Sequence, residues 1–123
     1  MAGKIVADTL EHSSEGTVDT QYVVNGTAKV IITFDPTGPT TQKSHNVSSV
    51  ADDDVGRFTV NTTNAFTDLH LVVVAGNGDH AAHNAGANTN EVQSTSSYKH
   101  VHWENNAETD CTDMNNAAFG DLA

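Results

Sequence analysis

Hydrophobic and polar residues alternate most cleanly along Ala28-Lys29-Val30-Ile31-Ile32-Thr33-Phe34. Side chains two apart share one face of a strand. Ala28, Val30, Ile32 and Phe34 are therefore assigned to the core. Asp35-Pro36-Thr37-Gly38-Pro39 ends this strand, because proline cannot donate to a ladder and glycine tolerates positive φ. Residues 43–50 predict a short second strand. Asp52-Asp53-Asp54-Val55-Gly56 predicts a turn, and residues 57–61 a strand with Phe58 and Val60 inward, the three together making a hairpin.

The most apolar run is Leu69-His70-Leu71-Val72-Val73-Val74-Ala75. Its continuity predicts a central strand covered on both faces, one by the domain and the other by a second sheet or a neighbouring subunit. Residues 76–90, rich in Gly, Asn, Ala, Asp and His, predict a long exposed loop. Strand character returns over residues 91–103. Glu104-Asn105-Asn106-Ala107 predicts a hairpin turn, and residues 108–119 a final acidic strand or irregular segment. Residues 1–20 carry scattered anchors (Ile5, Val6, Leu10 and Val18) and no regular period. They are expected to form an extended N-terminal arm that orders against a partner. The pattern as a whole predicts an all-β chain: the arm, then over residues 21–123 a single antiparallel β-sandwich of six to eight short strands.

Composition narrows the function. The chain has 123 residues, room for one domain, and 37% of them are hydrophobic, which predicts a thin core. Five basic residues face sixteen acidic ones, a formal net charge of −11. Such a chain repels phosphate backbones and anionic membrane surfaces, so neither nucleic acid nor membrane is expected as a partner. The single cysteine, Cys111, cannot form an intrachain disulfide. Residues 1–10 lack the apolar stretch of a signal peptide, which predicts a soluble chain made in the cytoplasm.

Candidate chemistry is confined to histidines and aromatics. His100 and His102 flank Val101 on a strand, so their imidazoles and Tyr98 point to one face. Imidazole is the commonest ligand for transition metals, so the pair could bind one, a full site requiring symmetry because the element occurs once. Two such histidines in an acidic polar domain are more commonly surface or interface residues. No metal and no cofactor is expected. His80, His83 and Asn84 lie in the 76–90 loop, which with Trp103 forms a candidate exposed binding face. Trp103 and Tyr98 could stack on a sugar ring, although aromatics on strands more commonly lie in a core or an interface. Nucleotide-binding glycine loops, His-Glu-x-x-His and Gly-x-Ser-x-Gly are all absent, and Asp52-Asp53-Asp54 lies in a turn exposed to water, so no enzyme is expected.

Several of these segments recur together in a known setting. Asn25-Gly26-Thr27-Ala28-Lys29, Asn46-Val47-Ser48-Ser49-Val50, Gly56-Arg57-Phe58-Thr59-Val60-Asn61 and, near the end, Ala118-Phe119-Gly120-Asp121 make the chain resemble a structural β-domain of tailed bacteriophages. Such domains occur in fibres, knobs and capsid-decorating proteins. The resemblance implies a virion structural protein that assembles with itself, as a homotrimer, and with capsid or other virion proteins. A tail-fibre module recognising a host surface glycan is the alternative it leaves open.

Overall fold

A computed structural model of the chain describes residues 3, 6–38, 40–77, 88–104, 107–111 and 113–123. Among them the chain forms eleven strands and one short helix. A hairpin of β1 (Thr9–His12) and β2 (Gly16–Asp19) leads into α1 (Thr20–Gly26). There follow β3 (Val30–Asp35), β4 (Thr40–His45), β5 (Val47–Asp54), β6 (Arg57–Thr62) and β7 (Val72–Asn77). The chain ends with β8 (Asn88–Ser94), β9 (Ser97–Glu104), β10 (Ala107–Glu108) and β11 (Met114–Phe119). Two antiparallel sheets face each other, one ordered β4-β3-β11-β7 and the other β5-β6-β9-β8. The two-residue β10 pairs with the end of β9, beyond the point where β6 stops.

The core lies between the sheets and follows the period of two. Val30, Ile32 and Phe34 of β3 are buried, as are Phe58, Val60 and Thr62 of β6. Burying each large apolar side chain contributes about 1.5–3 kcal/mol, and these strands hold the sheets together. Phe34 and Phe58 meet edge to face across the gap, with centroids 5.5 Å apart and planes at 67°. Edge-to-face packing sets the positive ring edge against the negative face. Ala28, the first residue of the predicted core face, is half-buried just ahead of β3.

Two residues fix joints of the chain, Asn46 where it passes between the sheets and Gly56 within one of them. The predicted 43–50 strand is in fact the end of β4 and the start of β5, one in each sheet, broken at Asn46. Asn46 adopts φ 56°, a left-handed conformation that asparagine tolerates better than most residues. Its Oδ1 accepts the Asn64 backbone N–H at 2.8 Å, and its Nδ2 donates to the Asn64 carbonyl at 3.3 Å. The second point is Gly56, with φ 68°, in the turn between β5 and β6. Its N–H donates to Asp110 Oδ1 at 2.7 Å, and its carbonyl accepts the His102 N–H at 2.8 Å. This turn ties the β5–β6 hairpin to β9 and to the segment after β10. β5 runs on through Asp54, so Asp52 and Asp53 belong to a strand rather than to the predicted turn.

Two expectations need correction. The 69–75 run does not form a central strand. β7 pairs with β11 and has no other partner among the described strands, so it is an edge. Val73 packs on the core while Val72 and Val74 point outward. The N-terminal arm is not extended either. It folds into the β1–β2 hairpin and α1, joined where the Thr20 N–H donates to the Asp8 carbonyl at 2.8 Å. Both strands are exposed along their whole length, and α1 buries no residue. Short-range hydrogen bonds hold this unit without a core of its own.

Candidate interaction surface

Strand pairing brings the outward residues of the sheet β4-β3-β11-β7 into rows. Ala117 lies opposite Ile31 on one side and Val74 on the other, and Ile31 lies opposite His45. The next row holds Gly76, Asn115, Thr33 and Lys43, and Phe119 lies opposite Val72 in the row on the other side. An exposed sheet face normally carries polar residues at these positions. Here Val72 is 62% exposed, Val74 59% and Ile31 45%. Between Ile31 and Val74 the small Ala117 leaves a shallow groove floored by β11. Thr33 Oγ1 donates to Asn115 Oδ1 at 2.9 Å and closes one end of the strip with a polar pair. The strip lies beside β7, the edge strand of this sheet.

The opposite sheet is built differently. Asp53 of β5 reaches across β6, where it accepts from Thr59 Oγ1 at 2.6 Å, to Lys99 of β9 at 3.2 Å. Arg57 grips Glu108 through both Nε and Nη2. That fork and its charge hold the Glu108 carboxyl below its usual range and raise the Arg57 guanidinium. Such ladders keep charged side chains engaged within the domain. Lys29 and Lys43, by contrast, make no ion pair among the described residues, Lys43 lying on β4 of the apolar sheet and Lys29 just ahead of β3. Lys29 Nζ donates to the Val24 carbonyl at the end of α1.

The structure places the sequence candidates differently from expectation. Tyr98, His100 and His102 do share one face of β9, but that face is the core, where they are 0%, 0% and 2% exposed. They are therefore neither surface nor interface residues, and no threefold axis between subunits can reach them. His100 Nδ1 lies 2.9 Å from Asn116 Oδ1 of β11, a hydrogen bond that crosses from one sheet to the other. Burial pushes the His100 imidazole down to about 4 and the Tyr98 phenol up. Tyr98 Oη, His100 Nε2 and Asn116 Nδ2 are buried without a hydrogen-bond partner among the described residues. Among the described residues no group of three or more His, Cys, Asp or Glu side chains is arranged to hold a metal. His80, His83 and Asn84 of the candidate binding loop lie outside the described residues, and Trp103 is half-buried near the end of β9.

Cys111 is buried, and its thiol donates to the Asp113 carbonyl at 3.5 Å. No helix among the described residues is long and apolar enough to cross a membrane. In comparison with known proteins, the chain matches no protein-family model, no curated protein and no solved structure.

Proposed function

We propose that this chain is a non-enzymatic structural protein of a bacteriophage virion, one that decorates or cements the capsid or forms a head fibre or knob. It works through contacts between subunits, and its assembled state is a homotrimer. The observation that carries this reading is the outward apolar strip of Ile31, Val72 and Val74 around Ala117. A domain with so few hydrophobic residues gains little by leaving three β-branched side chains in water, and symmetric assembly would bury them. The phage-like segments support the same reading, since they lie at structural joints. Asn25–Lys29 joins α1 to β3, Asn46–Val50 carries the crossing between sheets, and Gly56 opens β6. A net charge of −11 suits a position away from packaged nucleic acid.

Sedimentation velocity tests the assembly. The parent chain is expected to sediment as a trimer at micromolar concentration. Val74→Asp should dissociate it to a folded monomer, because Val74 is largely exposed on the outer face of the sheet and an unpaired carboxylate in an apolar contact is costly. A parent chain that is monomeric throughout this range would refute the reading.

A further inference from the structure

The hairpin–helix unit of residues 8–26 poses the same question as the apolar strip. It displays Leu10 at 46% exposure and Tyr22 at 64%, along with Val18, Val23 and Val24, and it buries nothing. It holds Asp8, Glu11, Glu15 and Asp19 and no lysine or arginine. The sheet β4-β3-β11-β7 has the complementary character. Its apolar strip is flanked by Lys43 and His45 on β4 and by Lys29 just ahead of β3. At the far end of β3, Asp35 is turned back to accept from the Thr37 N–H at 2.9 Å and hydroxyl at 2.7 Å, and Asp113 accepts from Gln42 Nε2 of β4 at 3.0 Å. Lys29 and Lys43 are thus the described cations that the domain itself leaves without a carboxylate. Both lie beside the apolar strip.

We propose that residues 8–26 of one copy dock on the outer face of the sheet β4-β3-β11-β7 of the next copy. The inference rests on the self-assembling reading above and names the contact that makes it. Exposed Tyr22, Val23 and Val24 cover Val74, Ala117 and Ile31, and the acidic hairpin lies against Lys43. The occupant is a second copy rather than the same chain because the tether is short. Only Thr27, Ala28 and Lys29 separate α1 from β3, a reach of about 10 Å at full extension. The Lys29 N–H is already fixed to the Ala118 carbonyl at 2.8 Å. That leaves no slack for α1 to turn back across its own sheet. Two different patches meeting in this way make a head-to-tail contact, which closes into a ring when the rotation per subunit divides a full turn.

The contact can be tested by cross-linking in a Cys111→Ser background, with two differently tagged chains. One carries Tyr22→Cys and the other Val74→Cys. Mixed and oxidised, they are expected to form a disulfide between the two tags. Val55→Cys, exposed at the turn of the other sheet, should not link to Tyr22→Cys. Val74→Cys linking only to itself would overturn the inference by showing a face-to-face contact, while leaving self-assembly intact. A link formed only when both cysteines are on one chain would overturn it in favour of the chain's own arm. A parent chain that sediments as a monomer would remove the proposed function along with it. Lys43→Glu should raise the dissociation constant about fivefold, the size of one rim ion pair. An unchanged constant would contradict the charge-matched docking.

Discussion

Gly56→Ala is expected to lower the unfolding free energy by about 3–4 kcal/mol, a large share of a typical domain's stability. A left-handed φ of 68° is the first cause, since it costs a non-glycine residue about 1 kcal/mol or more. The second is contact. A Cβ at this position would lie 2.7 Å from the Thr109 backbone nitrogen and 2.8 Å from the His102 carbonyl oxygen. Neither is a flexible side-chain end that could swing away, so the turn must move. Movement loosens the bonds from Gly56 to Asp110 and from His102 to Gly56, each contributing about 1 kcal/mol. Urea unfolding of Gly56→Ala beside Gly76→Ala provides the check. Gly76 has open space around a Cβ, and its substitution should change little. Equal midpoints for the two variants would show that the turn is not wedged as described.

The second large effect concerns pH. The folded His100 imidazole titrates near 4, against an ordinary 6.5, chiefly because burial disfavours its charged form, with nearby His102 adding to the effect. Between these values the unfolded chain binds a proton at this residue and the folded chain does not. His100 therefore leaves stability untouched above about pH 6.5 and lowers it as pH falls from there to about 4. At 1.36 kcal/mol per unit the loss reaches about 3 kcal/mol. Of the groups facing His100 in the core, Asn116 offsets the loss only in part, since its hydrogen bond raises the imidazole while burial outweighs it, and the Tyr98 phenol stays protonated across the whole range because burial raises it. Unfolding measured at pH 7 and pH 5 should show a drop in the parent chain that is markedly smaller in His100→Gln. Proton resonances of the His100 ring should titrate with a midpoint near 4. A midpoint near 6.5 would mean that the ring reaches water.

How far the fold could be read from the sequence depended on what each strand buries. β3 and β6 alternate large apolar with polar residues, so their inner faces, Val30-Ile32-Phe34 and Phe58-Val60, were visible directly. β11 hid its importance. Its inner positions are Met114, Asn116 and Ala118, a small and partly polar set, yet it is a central strand paired on both sides. β7 misled in the opposite direction. A run of valines reads the same whether both faces are covered within the domain or one is kept for a partner. The N-terminal hairpin and helix gave no periodic signal because nothing in them is buried, and Asp19 at the start of α1 makes no capping hydrogen bond. The histidines show the limit most clearly. Their spacing fixed a shared face with Tyr98, but only the approach of β11 shows that this face is the core. Asn116, the residue that makes His100 tolerable there, is on the opposite sheet. Nothing local to β9 could reveal it.

The account's central claim is that this chain is part of a virion surface. It is tested most directly by electron microscopy of particles purified from lysates of cells that make the chain, supported by mass spectrometry of the same preparation. The account predicts multiple copies per particle, in threefold groups on the outside of the capsid or in a fibre or knob attached to it, with the apolar sheet covered by a neighbouring copy. Abundant chain in infected cells but none in the particles would contradict it.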